Sequence, residues 1–141
     1  QHDPHFLKLM GEHLVENKLD MVIGSRFIEK KGFQSSKTRR IGIVFFSKLI
    51  KILTGQLITD PTSGLRMIGR NAMALFAIDY PRDYPEPESV VAVLRRNMKV
   101  AEIPVIMHER QGGVSSISLK KSVYYMIKVT LAMIIERIRK Y

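Results

Sequence analysis

Carboxylates, hydroxyls and cations gather in this sequence at a few short stretches, and the densest runs over residues 59–66. It sets Asp60, the hydroxyls of Thr59, Thr62 and Ser63, and Gly64 directly before a short apolar run at 65–68. Asp-Pro and Ser-Gly are both turn signals, so this backbone is bent and held at the mouth of a strand. The Asp60 carboxylate has two readings: it hydrogen-bonds its own loop, or it faces a cleft. Glu86 and Glu88 form a second acidic group, delivered by a proline-stiffened segment at 80–88 to the start of a helix over 89–97. Two carboxylates there gain from the helix dipole, and the alternative is a general base held at a cleft wall. The cations are Arg26 at a strand end, Arg40 on a helix face beside Ser47, and Arg110 in the loop RQGGVSS at 110–116. The backbone N–H groups of that loop, with Arg110 and the Ser115 hydroxyl, can wrap a phosphate. Cations and carboxylates meeting at one cleft suit a phosphate-bearing substrate together with proton removal or metal binding.

The elements that must position these groups follow from spacing. Asp3 and Pro4 open a helix, with Leu7, Met10 and Leu14 at helical intervals and Asn17-Lys18 as its end. Residues 21–24 read as a short, fully buried strand of the parallel-sheet kind. The stretch 29–40 is rich in Lys, Ser and Gly with nothing to bury, and is expected to be a mobile loop. A helix over 40–54 ends at Gly55, a natural C-cap. Its Ile41, Val44, Phe45, Leu49 and Ile52 are expected to be buried, leaving Arg40, Ser47, Lys51 and Thr54 as a narrow stripe. That stripe is either a solvated face or a surface that meets Arg26. Further helices are expected over 71–78 and 122–140, and an edge strand with Pro104 over 99–107. The last helix is apolar nearly all round, which fits a core helix or one lying in a bilayer surface. Alternating helices and strands indicate an α/β layer fold, and the candidate residues fall at strand ends or following loops, where ligands collect.

Composition narrows the function classes. At 141 residues and 45% apolar content, the sequence suits one domain or part of one, with a core and without disorder. The absence of cysteine excludes disulfides and thiolate metal sites. No uninterrupted apolar run reaches the roughly 18 residues a membrane span requires. A net charge of +10 predicts anionic company: phosphates, nucleic acid or an acidic membrane face. The four histidines form no HExxH pattern or plausible zinc set, and Walker A, GxGxxG and GxSxG motifs are missing. Nucleic-acid binding has the charge but no recognisable module.

Seven stretches in order, QHDP at 1–4, VIGSR at 22–26, RR at 39–40 with Ser47, DPTSGLR at 60–66, PEPE at 85–88, EIPV at 102–105 and RQGGVSS at 110–116, resemble family 2 glycosyltransferases. The likeness is to the branch with polyprenyl-phosphate sugar transferases and bacterial polysaccharide glycosyltransferases. It implies the C-terminal, acceptor-side part of a GT-A domain over 1–118, with an incomplete sheet flanked by helices, and an amphipathic, membrane-surface helix over 119–141. In that family QHxP follows directly on the Asp-x-Asp motif that holds the metal. The chain is therefore expected to be a truncated part, inactive alone, lacking the metal aspartates and most of the nucleotide site.

The resemblance further implies residue roles. Gln1 becomes a third metal ligand, for Mn²⁺ or Mg²⁺ held in the full-length enzyme rather than by this part. Arg26 and Arg40 with Ser47 bind a donor or acceptor phosphate, and the 29–40 segment is the acceptor loop. Asp60 lines the acceptor side of the sugar site, and Glu86 or Glu88 stands where relatives place a base. Arg110 and Ser115 close over the diphosphate, although the paired Gly112-Gly113 departs from the usual Arg-x-x-Gly-x-Ser. The implied activity is inverting, metal-dependent transfer from a nucleotide-diphosphate sugar to a lipid-linked or saccharide acceptor, at the inner face of the cell membrane. Nucleic acid is not an expected partner, and self-association through the interrupted sheet is. The other class is a basic membrane-surface or nucleic-acid binding module.

Overall fold

The computed structural model describes residues 3–81, 84–108 and 119–139. In chain order they form α1 (His5–Glu16), β1 (Met21–Ser25), α2 (Lys37–Thr54), β2 (Arg66–Ile68), α3 (Arg70–Ile78), α4 (Pro85–Leu94), β3 (Val100–Pro104) and α5 (Leu119–Ile138). This is the expected mixture of α and β. The sheet order is β2-β1-β3, with β1 antiparallel to β2 and parallel to β3. It is a mixed sheet rather than the parallel one that β1 suggested.

β1 reads as a continuous apolar run because all five of its residues are buried, with strands on both sides and helices on both faces. Its register aligns Val22 with Met67 and Ala101, and Ile23 with Arg66 and Glu102. Residues paired this way share a face. α1 packs on β1 and β2, buries Met10 and brings Gly11 close to Met67. On the other face Met21 and Ile23 join Phe46 and Ile50 of α2, Val90, Val91 and Val93 of α4, and Val129 and Met133 of α5. Each fully buried side chain of this kind stabilises the fold by about 1.5–3 kcal/mol. At the end of β1, a Cβ on Gly24 would lie 2.9 Å from Val105 Cγ1 and 3.0 Å from a Leu65 methyl, so that strand end packs at glycine closeness.

Several local expectations are met. The Asp3 carboxylate accepts from His5 N at 2.9 Å, and Gly55 ends α2 with φ of 83°. β3 lies on the sheet edge, where Pro104 and its missing N–H are tolerated. Other boundaries shift for identifiable reasons. α2 starts at Lys37, three residues early, because the Ser36 hydroxyl caps Arg39 N. α4 starts at Pro85, since proline suits a first helical turn and the Glu88 carboxylate accepts from Tyr84 N at 3.1 Å. The irregular segment ahead of α2 is pinned: Phe33 N donates to Met107 O at 2.8 Å.

The burial expected for α2 is corrected. Its inward line is Ile43, Phe46, Ser47 and Ile50, while Ile41, Val44, Phe45 and Ile52 are exposed. Its apolar residues spread over a wide arc beside Arg40, Lys48 and Lys51, and periodicity alone does not say which part of that arc meets the core. Ser47 can turn inward because its hydroxyl donates to the Ile58 carbonyl.

Candidate functional site

The row Arg66–Ile23–Glu102 across the sheet places one cation and one carboxylate on the core face, on either side of the central strand. Both reach the 59–63 loop. Glu102 accepts the backbone N–H groups of Thr59 at 2.7 Å and Asp60 at 2.9 Å. Arg66 donates to the carbonyls of Pro61 at 2.7 Å, Ser63 at 2.8 Å and Glu86, and to the Ser89 hydroxyl at 2.7 Å. Donors are gripped by the acid and acceptors by the base. Burial pushes the Glu102 carboxyl above its ordinary 4.5, against the lowering effect of the two backbone N–H bonds. Burial also draws the Arg66 guanidinium down to about 10, with Glu86, Asp60 and Glu102 opposing the shift. Arg66 remains cationic at neutral pH.

Strand β1 supplies the remaining fastenings. Ser25 and Thr59 share a hydroxyl hydrogen bond of 2.6 Å, and the Ser63 hydroxyl donates to Gly24 O at 2.7 Å. Arg26, the next residue, forms a two-pronged pair with Asp60: Nε to Oδ2 and Nη2 to Oδ1, both at 2.7 Å. Arg26 N also donates to Oδ2 at 3.2 Å, and the Thr62 hydroxyl donates to Oδ1 at 3.4 Å. Arg26 is 8% exposed and Asp60 0%. The expectation that Asp60 faces a cleft is therefore corrected: its carboxylate is buried and fully occupied by donors from its own surroundings. Arg26 and Asp60 are brought together as partners.

Arg40 joins them indirectly, because the guanidinium carbons of Arg26 and Arg40 lie 5.2 and 5.6 Å from the centre of the Phe27 ring. Ser47 is not with them. It is buried in α2 on the Ile58 carbonyl.

Glu86 and Glu88 part company. Two residues apart on a helix, they point to different sides of α4. Glu88 caps Tyr84 N and lines a cavity of about 330 Å³ with Asp79, Tyr80, Glu136 and Arg139. Glu86 lines a hollow of about 550 Å³ with Arg39, Phe46, Thr62, Tyr84 and Tyr125. Among the described residues no donor hydrogen-bonds its carboxylate. Burial raises the Tyr125 phenol above its usual value, and the nearby Glu86 adds to the shift. This hollow sets a carboxylate and the Arg39 guanidinium around an aromatic and apolar floor, beside the clamped loop.

Gln1, Arg110 and Ser115 lie outside the described residues. Among the described residues no three His, Asp or Glu side chains gather as a divalent metal would need. Spacing gave no role to Arg66, Glu102, Arg39 or Tyr125. A signal for Glu102 existed: on an alternating strand it shares a face with the buried Val100 and so needs a partner.

The chain is similar to a UDP-N-acetylglucosamine–dolichyl-phosphate N-acetylglucosaminyltransferase of Methanococcus voltae, 23% identical over 108 residues. That match covers 74% of this chain and 43% of the relative. An uncharacterized protein of Methanocaldococcus jannaschii is 27% identical over 108 residues, covering 74% and 44%. The chain thus spans less than half the length of the curated relatives it matches. No protein-family profile matches it, and no solved structure does.

Proposed function

We propose that this chain is the acceptor-side part of a family 2, GT-A-type inverting glycosyltransferase. It moves a sugar from a nucleotide-diphosphate sugar to a lipid-linked or saccharide acceptor. The observation that carries the reading is one hollow that joins an open carboxylate, Glu86, and a cation, Arg39, to the clamped loop through Thr62. Similarity to a sugar transferase supports the same class of chemistry.

In this reading Glu86 removes the proton from an acceptor hydroxyl as that oxygen attacks the anomeric carbon and the nucleoside diphosphate leaves. Arg39 and Arg40 offset phosphate charge from the rim of α2. Arg26, Asp60, Arg66 and Glu102 position the loop that forms the wall. A divalent ion bound in the whole enzyme would neutralise the leaving diphosphate. The described residues include no donor set for it.

A second reading follows from the relative's name, which specifies dolichyl phosphate as acceptor. A phosphate oxygen is already ionised and needs no base. The hollow would then bind it through Arg39, and Glu86 would be dispensable.

The test is transfer of labelled sugar by the full-length protein from a panel of nucleotide sugars to polyprenyl phosphate and, separately, to a lipid-linked saccharide. Glu86→Gln is expected to lower transfer to the hydroxyl acceptor. Loss on Arg39→Ala with full activity on Glu86→Gln would select the phosphate acceptor. No transfer from any donor, with tight salt-sensitive DNA binding, would overturn both readings.

A further inference from the structure

Glu86 borders two hollows. Besides the one it shares with Arg39, it lines a smaller one of about 230 Å³ on the core face of β2, with Gly64, Arg66, Phe76, Tyr80 and Ser89. We propose that this smaller hollow binds a single sugar ring and that Gly64 keeps its mouth open.

Gly64 has no conformational need to be glycine. Its φ lies outside the left-handed region, and an added Cβ would meet nothing within 4 Å. Gly55 and Gly24 show the contrast: the first has a φ of 83°, and the second is crowded by Val105 and Leu65. What the missing side chain leaves at residue 64 is room at the rim of the hollow.

The lining has the two characters a sugar ring presents, apolar C–H faces and a rim of hydroxyls. Met21 and Ile68 give it an apolar floor. Phe76 and Tyr80, one helical turn apart in sequence, add a wall of two rings that meet edge-on at 5.3 Å. Polar capacity is left over as well. Arg66 has five N–H hydrogens, and four are engaged: Nε on Ser63 O, Nη1 on Glu86 O and the Ser89 hydroxyl, Nη2 on Pro61 O. Among the described residues the second Nη2 hydrogen has no acceptor. The Ser89 hydroxyl donates to Glu86 O at 3.1 Å and accepts from Arg66, which leaves it a lone pair. A donor, an acceptor and the Glu86 carboxylate thus remain for ring hydroxyls.

Other occupants fit less well. The volume is below the roughly 300–1,000 Å³ of pockets for larger ligands, so it suits one ring rather than two. A nucleobase would want a flat slot, whereas the Phe76 and Tyr80 rings stand at 88° to each other. A phosphate would meet the Glu86 carboxylate and an Arg66 already spent on carbonyls. Because Glu86 borders both hollows, a ring in the smaller and a hydroxyl in the larger meet at its carboxylate. The smaller hollow is then the seat of the transferred ring. That assignment rests on the sugar-transfer reading; the binding of a ring does not.

Saturation-transfer NMR of the full-length protein with free glucose, galactose, mannose and N-acetylglucosamine tests the site. At least one sugar is expected to take up magnetisation. The signal should vanish in Gly64→Leu, whose added atoms meet open space and leave the thermal melt in place, and fall several-fold in Tyr80→Ala. No uptake by any sugar, or a signal unmoved by both variants, would overturn the proposal. A Gly64→Leu protein that fails to fold would give the glycine a structural reason and overturn its part, and Tyr80→Ala then decides for the hollow. In transfer, Gly64→Leu should raise the KM for the nucleotide sugar about tenfold and leave that for the acceptor unmoved. The reverse split would put the acceptor in the smaller hollow and overturn its assignment to the transferred ring. A sugar signal lost in Gly64→Leu, with no transfer from any donor, leaves the site standing and removes the enzyme.

Discussion

Asp60 and Glu86 lie on adjacent walls of the same region and do opposite things with a carboxylate. Asp60 is buried and takes donors from Arg26 and Thr62 on both oxygens. Glu86 stands at the edge of a hollow, with no hydrogen-bond donor on its carboxylate among the described residues. A saturated, buried carboxylate fixes geometry, because disturbing it strands a charge. An open one beside a hollow can still exchange a proton with something that enters. The contrast makes the loop architecture and leaves the α4 terminus, in the proposed reading, as the place for chemistry.

The largest effect should come from breaking the first half of that contrast. Asp60→Ala leaves Arg26 charged and buried, and is expected to cost about 3–5 kcal/mol in urea unfolding. Arg26→Met combined with Asp60→Leu should recover most of this, since the loss reflects a stranded charge rather than the worth of the pair. If Asp60→Ala unfolds at the wild-type urea concentration, the clamp is not structural. Next, Arg66→Met removes the donor from three loop and helix carbonyls, and a loss of about 1–3 kcal/mol should appear in the same assay. Glu88→Ala deletes the cap on Tyr84 N, for which a loss of about 1 kcal/mol is expected, and a much larger loss would give Glu88 a role beyond the helix end.

The smallest effect is one of pH. Burial holds the folded-state Glu102 pKa above 4.5, so the folded protein keeps a proton that the unfolded chain releases. The stability this contributes is fully present below pH 4.5 and is lost as pH rises through the raised value. Glu102→Gln should flatten that stretch of a urea-midpoint profile. An unchanged slope would show that the carboxyl is not the titrating group.

How much of this was legible in the sequence differs between the same regions. The bent loop, the buried β1, the Gly55 stop and the edge position of Pro104 all follow from local rules about turns, caps and missing donors. The placement of Arg26 next to Asp60 does not, because it depends on which strands pair and in what register. The same holds for Arg66 and Glu102, which meet the loop only because Ile23 lies between them in one row. The facing of α2 is illegible for another reason. Its apolar residues spread over an arc too wide for periodicity to pick the buried line, and a single hydroxyl, Ser47 on the Ile58 carbonyl, is enough to turn a polar position inward. The opposed directions of Glu86 and Glu88 were available from helical geometry alone. Which hollow each of them lines was not.

The most direct test compares the transfer rates of Glu86→Gln and Glu88→Gln in the full-length protein with a hydroxyl acceptor. The expected result is a fall of about 100-fold for Glu86→Gln, as for loss of a general base, with Glu88→Gln close to wild type. Equal rates for the two variants, or a wild-type rate for Glu86→Gln, would contradict the division between a clamped loop and a working hollow.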